Sequence, residues 1–243
     1  NVLSFAKVRK NIYLTSGDCE KSLSLPKICG DPVCGAFPEQ AFAPGRVASV
    51  AANRLGFMIT LDTIRKPVTA ELEALDEFVD RQFTAEGELL SDMLRYALPA
   101  RGKGIRPMLV MLSAAMNAPV KGAAAGRRAC LAAMLVEMIH VASLIHDDVI
   151  DEADMRRGKP SANARWQSHK AVILGDYILA KNMNIGLQSG QFDLVTHVCG
   201  SMAALCEGEV LQDECAANST MTRQAYLDII YKKTASLLGV SAS

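Results

Sequence analysis

Aromatic residues are scarce in this chain: Phe, Trp and Tyr make up 5% of it, although half of it is hydrophobic. Ala, Leu, Met, Ile and Val carry the apolar content. That suits close helix packing better than a β-sandwich, whose strands favour aromatic and β-branched side chains. Net charge is also lacking. Lys plus Arg number 26, and so do Asp plus Glu, so the chain as a whole is not an electrostatic binder of nucleic acid. The 7 Cys show no repeated spacing. Cys29 and Cys34 share a loop, but no His stands near and no second pair follows. This speaks against zinc and for reduced thiols in an intracellular protein. The first residue is Asn rather than Met, so the start is either processed or lies outside this sequence. Lys7, Arg9 and Lys10 precede the first acid, Asp18, among Val2, Leu3, Phe5, Val8 and Ile12. They read either as the remnant of a basic amphipathic mitochondrial targeting segment or as an ordinary basic tail on a cytoplasmic protein.

Residues 1–66 lack periodicity and hold Pro26, Pro32, Pro38 and Pro44. They read as presequence and linker, largely unstructured. From Pro67 the pattern becomes helical, which sets a domain of residues 67–243. Thr69 is expected to cap a helix whose buried face includes Leu72, Leu75, Phe78 and Val79. A short helix follows over about 88–98, and Pro107 suits the first turn of a third, ended by Asn117-Ala118-Pro119. A long helix is predicted from Arg127 to Ala153, then others over 169–188, 191–214 and 222–241. No strand and no internal repeat is predicted, and the fold class is all-α. The stretch from Ala129 to Ile145 is apolar except for Glu137, His140 and Ser143, a borderline length for crossing a membrane. Two ionisable groups midway, and acids directly after it, favour a helix at the centre of a bundle and no transmembrane span.

That helix runs into His146, Asp147, Asp148, Asp151, Glu152 and Asp154, followed by Arg156 and Arg157. Asp147 and Asp151 lie one turn apart on one face, with Asp148 beside them. Like charges at that spacing repel, and the negative end of the helix dipole adds to the cost. Such a cluster calls for a cation, and carboxylate-only ligation suits magnesium (Mg2+), which takes further ligands from water and substrate phosphates. The forked guanidinium groups of Arg156 and Arg157 match phosphate oxygens, so the block describes a diphosphate clamp. The competing reading is a solvated acidic helix end neutralised by two arginines. It is weakened because the acids continue the axis of a core helix. His140, two turns before Asp147, points towards the cluster and reads as a substrate contact. Lys103 and Arg106, at the start of a helix, make a second anion site. Lys233 and Thr234, on an otherwise apolar helix, suit phosphate or form a surface patch.

Together these segments resemble the trans-polyprenyl diphosphate synthase family, of the long-chain type that includes solanesyl and decaprenyl diphosphate synthases. The family's Asp-Asp-x-x-Asp and Arg-Arg-Gly motif is matched by Asp147, Asp148, Asp151, Arg156, Arg157 and Gly158. Its Gly-Lys-Arg-x-Arg-Pro motif is partly matched by Gly102, Lys103, Arg106 and Pro107, with Gly104 in place of the middle Arg. His146, Gly175-Asp176, Gly208, Glu209, Gln212 and Lys233-Thr234 also fit. The resemblance covers about residues 70–240. It implies an isoprenoid-synthase-like bundle of mostly antiparallel helices, incomplete at the C-terminus. It further implies magnesium on Asp147, Asp148 and Asp151, isopentenyl diphosphate on Lys103, Arg106, His140 and Arg157, and the allylic diphosphate on Arg156, Lys233 and Thr234. The family's second aspartate-rich motif lies beyond the Lys-Thr helix, and this sequence stops at Ser243. The expectation is a C-terminally truncated enzyme sequence with little turnover alone. The alternative is a non-catalytic subunit that regulates a full-length synthase. The family generally forms dimers, so a homo- or hetero-oligomer is implied. A terpene cyclase also uses Asp-Asp-x-x-Asp but lacks a second diphosphate substrate for Lys103, Arg106 and the Arg-Arg-Gly segment to hold.

Product length should follow from geometry, since the growing chain runs from the aspartates towards the start of their helix. One turn before Asp147 stand Ala142 and Ser143, both small, where short-chain synthases that resemble this segment place bulky aromatics. A long-chain product is implied, such as the side chain of ubiquinone. Placing Phe at both positions in an active assembly should shorten the products. Unchanged lengths on chromatography of the dephosphorylated products would contradict that reading.

Overall fold

The computed structural model describes residues 60–100, 102–118 and 126–243. The presequence and linker reading of residues 1–66, with Cys29 and Cys34, therefore lies mostly outside the described residues; its last residues, 61–66, are helical rather than unstructured. The chain divides into two units between Ile64 and Arg65. Of the unit before that division only residues 60–64 are described, where helix α1 (Leu61–Arg65) begins.

The unit from Arg65 onward is built around one helix. After a 3-10 turn, Lys66–Val68, come α2 (Thr69–Gln82), α3 (Glu88–Ala97) and α4 (Ile105–Met116). Helix α5 (Arg127–Ile150) is the centre: α2, α4, a short α6 (Ala162–Trp166), α7 (Ser168–Gln188), α8 (Phe192–Asn218) and α10 (Ser236–Ala242) all pack on it. Helix α9 (Arg223–Ile230) leads into α10 through a π-helical turn, Tyr231–Ala235. A helix that is apolar around its whole circumference must be covered on all sides, and α5 buries Leu131, Met134, Leu135, Met138, Ile139 and Ile145 among others. Helices α5 and α8 are long and apolar enough to cross a membrane by length and composition; most of that stretch of α5 is buried in the bundle, and about a fifth of that of α8.

Helix α7 packs on α5 most extensively, and the sequence permits close approach at two glycines. A Cβ at Gly175 would collide with the His146 ring, and one at Gly186 would lie 2.7 Å from Val195 and 3.2 Å from Leu135. Going from Gly175 to Gly186 along α7, the contact on α5 moves back from His146 to Leu135, so the two helices are antiparallel. Asn182, wholly buried between them, donates from Nδ2 to the Leu135 carbonyl at 2.9 Å.

The structure corrects several boundaries. Thr69 is the first helical residue rather than the cap; Val68 occupies that position, and the Thr69 hydroxyl donates to the Arg65 carbonyl at 3.3 Å. Helix α5 stops at Ile150, three residues before Ala153. Glu152 adopts a left-handed conformation (φ 49°), the Ala153 N–H donates to the Asp148 carbonyl at 2.9 Å and the Glu152 N–H to the Val149 carbonyl at 3.3 Å. That is a Schellman stop, usually made by Gly. Where no strand was expected, Met155–Arg156 (β1) and Lys159–Pro160 (β2) pair antiparallel.

Burial separates neighbouring residues on α7: Leu174 is fully buried and Ile173 is 59% exposed. Leu174→Ala should lower stability by about 2–4 kcal/mol through the cavity it leaves. Ile173→Ala should cost less than about 0.5 kcal/mol. Urea denaturation of the two variants checks the order, and equal losses would contradict the packing described.

Candidate functional site

The acids and arginines singled out by the sequence meet at the C-terminal end of α5. Asp148 is 3% exposed, and the Arg156 guanidinium grips both its oxygens: Nε lies 2.7 Å from each, and a terminal nitrogen lies 2.7 Å from Oδ1. Burying a carboxylate is expensive unless it is paired and hydrogen-bonded, and this bidentate geometry meets both conditions. Asp147 is half-buried and faces different company. Burial pushes its carboxyl up to about 6, helped by the nearby Glu209 and Asp151 carboxylates and opposed by Lys233 and Arg156. Asp151 is exposed at the helix end, its N–H donating to the Asp147 carbonyl at 2.8 Å.

Arg156 and Arg157 stand on the hairpin, with Arg157 and Gly158 as its two-residue turn. Both have positive φ (51° and 79°), as a type I′ turn requires. Arg157 lies against Gly102, where a Cβ would collide with its guanidinium. Glycine at 102 (φ 76°) thus serves both a left-handed turn and this approach. Lys103 follows, exposed, and Arg106 occupies the first turn of α4. Desolvation lowers the Arg106 pKa while the buried Glu137 raises it, and Arg106 Nε is buried with no hydrogen-bond partner. His140, half-buried, is pushed down to about 3 by desolvation and then by Arg106, Arg157 and Arg156. It is therefore neutral at physiological pH and can offer a hydrogen bond without adding charge.

Lys233 comes from the far side. Its ammonium lies 2.6 Å from Glu209 and donates to Gln212 Oε1 at 3.0 Å, both on α8. Gly208 makes that approach possible, since a Cβ there would lie 2.9 Å from Lys232 Cβ and Lys233 Cγ. Thr234 is exposed on the same turn, Ser143 is half-buried, and Ala142 is wholly buried. The sequence assigns Glu209 no role in the site, although it both pairs Lys233 and acts on Asp147. Its only signal was the match of Gly208, Glu209 and Gln212 to the family pattern. His146, also matched, has Nε2 at 3.3 Å from the Val172 carbonyl and from Asp176.

The donor chemistry fits a hard divalent cation: oxygen ligands, crowded and repelling, with Asp147 held above the ordinary carboxylate range. The three aspartates do not share one point, however. Among the described residues no three His, Cys, Asp or Glu side chains are gathered as a metal-holding group, and Asp148 is given to Arg156.

Comparison with known proteins places these features. The family model described as polyprenyl synthetase matches residues 87–243. All-trans-nonaprenyl-diphosphate synthase (geranyl-diphosphate specific) of Rhodobacter capsulatus is 32% identical over 174 residues, 72% of this chain and 52% of that protein. Heptaprenyl diphosphate synthase component 2 of Bacillus subtilis is 33% identical over 171 residues, 70% and 48% of the two chains. The crystal structure of a decaprenyl diphosphate synthase from Rhodobacter capsulatus superposes with a TM-score of 0.69 at 31% identity, covering 75% of this chain and 55% of that one. The chain spans about half the length of the curated relatives it matches.

A pH dependence follows from Asp147. Its folded pKa, about 6, lies above the ordinary 3.8, so the folded chain holds this proton more tightly than the unfolded one. The stability this contributes is complete below the ordinary value and is lost as pH rises through 6. In chelator, Asp147→Asn should resist urea better than the native chain at pH 7.5, with the gain fading as pH falls towards 4. No gain at pH 7.5 would refute the crowding of carboxylates around Asp147.

Proposed function

This chain belongs to the polyprenyl synthetase family, and from that premise we propose that its site serves long-chain trans-prenyl transfer. In this reaction isopentenyl diphosphate is condensed with an allylic diphosphate. One observation carries the reading: at one end of a single core helix, carboxylates meet two groups of cations. Arg106 and Arg157 lie around the neutral His140, Lys233 lies by Asp147, and Arg156 acts on both, where the two groups meet. Two cation groups suit two diphosphates.

In this reading Lys103, Arg106, His140 and Arg157 hold the isopentenyl diphosphate, with the unpartnered Arg106 Nε as a ready donor. Arg156, Lys233 and Thr234 hold the allylic diphosphate. Asp147 and Asp151 would hold magnesium, joined by Asp148 through exchange with Arg156. When bound, the metal supplies charge neutralisation at the departing diphosphate. The allylic C–O bond breaks with its electron pair leaving on the diphosphate, and Arg156 and Lys233 stabilise that developing charge. The isopentenyl double bond attacks the allylic cation to form the new C–C bond, and the proton lost afterwards passes to a diphosphate oxygen. The apolar walls around α5 keep water from the cation. Ser143, one turn below Asp147 and only half-buried, leaves room for a lengthening chain. A long product such as a ubiquinone side chain, made in mitochondria, completes the proposal.

A second reading is supported by the relative named as a component of heptaprenyl diphosphate synthase. In it, this chain acts as one subunit beside a full-length synthase. Incubation of labelled isopentenyl diphosphate with farnesyl or geranylgeranyl diphosphate and Mg2+ separates the two. Elongation by the chain alone supports the first, and activity altered only in a mixture supports the second. In whichever preparation elongates, Arg156→Gln should cut turnover by about a hundredfold, the scale of losing one donor to developing charge. Undiminished turnover would remove Arg156 from the chemistry.

A further inference from the structure

The hairpin carrying Arg156 and Arg157 is two residue pairs long, far short of what holds by itself in water. Nor is it held by packing alone, since a cavity of about 270 Å³ lies behind it, lined by Val141, Leu144 and Ile145 of α5 together with Tyr96 and both arginines. Its position therefore depends on discrete ties. Arg156 grips Asp148 at the first strand. Ser161 ties the base, its hydroxyl donating to the Ala153 carbonyl at 2.6 Å and its N–H to the Asp154 carbonyl at 2.8 Å. The second strand is tied at Pro160. Its carbonyl accepts from Tyr96 Oη at 2.8 Å, from the end of α3.

Tyr96 is itself fixed in place. Its ring meets Trp166 edge-on, centroids 5.2 Å apart at 83°. The Arg165 guanidinium lies 4.4 Å from the Tyr96 ring centre and 4.7 Å from that of Trp166, within cation–π range. The chain then runs from α3 through the 3-10 turn Leu98–Ala100 to Gly102, against which Arg157 lies. One short stretch thus touches the hairpin twice, at Pro160 and at Arg157, and leads on to Lys103 and Arg106.

We propose that Tyr96 is a positioning residue: through Pro160 it sets the arginine hairpin against residues 102–106, and so fixes the spacing of the cations that receive diphosphate. The inference rests on the diphosphate reading of those cations.

The test uses this chain, inorganic diphosphate and Mg2+, with affinity read by calorimetry. Trp166 is the chain's single tryptophan, so its emission reports on the contact itself. Diphosphate should bind the native chain and change that emission. Tyr96→Phe should weaken binding about threefold to tenfold, the scale of one hydrogen bond, with an unchanged melting temperature and a diminished emission change. Tyr177→Phe is the control. Its Oη also donates to a backbone carbonyl, that of Thr84 at 2.9 Å, yet it touches no part of the hairpin, and its affinity should stay native. Equal affinities for native and Tyr96→Phe chains, or equal losses in both variants, overturn the positioning role while leaving the diphosphate reading intact. No binding by the native chain overturns the diphosphate reading and this inference with it.

Discussion

A carboxylate buried at the end of an apolar helix has to be matched by a cation, and the match between Asp148 and Arg156 organises the whole site. Asp148 is carried to its place by α5, which the bundle encloses on all sides. Arg156 is carried by a hairpin with little structure of its own. The two-pronged contact therefore transfers the rigidity of the core to a surface loop. Arg157 follows in the turn, and its place against Gly102 depends on the same anchor. Removing the Asp148 carboxylate would free Arg156 as well as delete an acid, whereas removing Asp147 would relieve repulsion. Two adjacent residues of one sequence motif thus play opposite energetic parts.

The other half of the site depends on how closely helices approach. Gly175 and Gly186 let α7 lie against α5, and Gly208 lets the π turn lie against α8. The first contact seats His146 beside Val172 and Asp176, and the second delivers Lys233 to Glu209 and Gln212. A π turn carries more residues than an α turn of similar rise and is often found where function needs a side chain re-aimed. Here it stands at Lys232 and Lys233, which each meet an acid of α8.

Much of this was legible in the sequence for physical reasons. The run from Ala129 to Ile145 is apolar but for Glu137, His140 and Ser143, and with ionisable groups midway that pattern suits a helix at the centre of a bundle. The acids and arginines directly after it have no rationale as a core, so they declared a site. What was not legible depended on backbone states that sequence marks poorly. Glu152 ends α5 in a conformation normally signalled by Gly. Arg157 shares a hairpin turn whose usual first residue is Asn, Asp or Gly, so no strand was expected on either side. Tyr96 and Glu209 escaped because their roles arise from contacts with Pro160 and Lys233, remote in sequence. The expected cap at Thr69 failed for a local reason: its hydroxyl turns back to the Arg65 carbonyl instead of serving the helix.

The left-handed backbone at Arg157 has a wider consequence. A non-glycine residue with positive φ sits in a sparsely populated region and costs on the order of 1 kcal/mol or more. Asn or Gly would occupy that turn with less strain, so a search for thermostable variants would single out position 157 as an easy gain. The same exchange would remove the guanidinium that lies on Gly102. Robustness and the diphosphate-binding role proposed for Arg157 are thus set against each other at one residue.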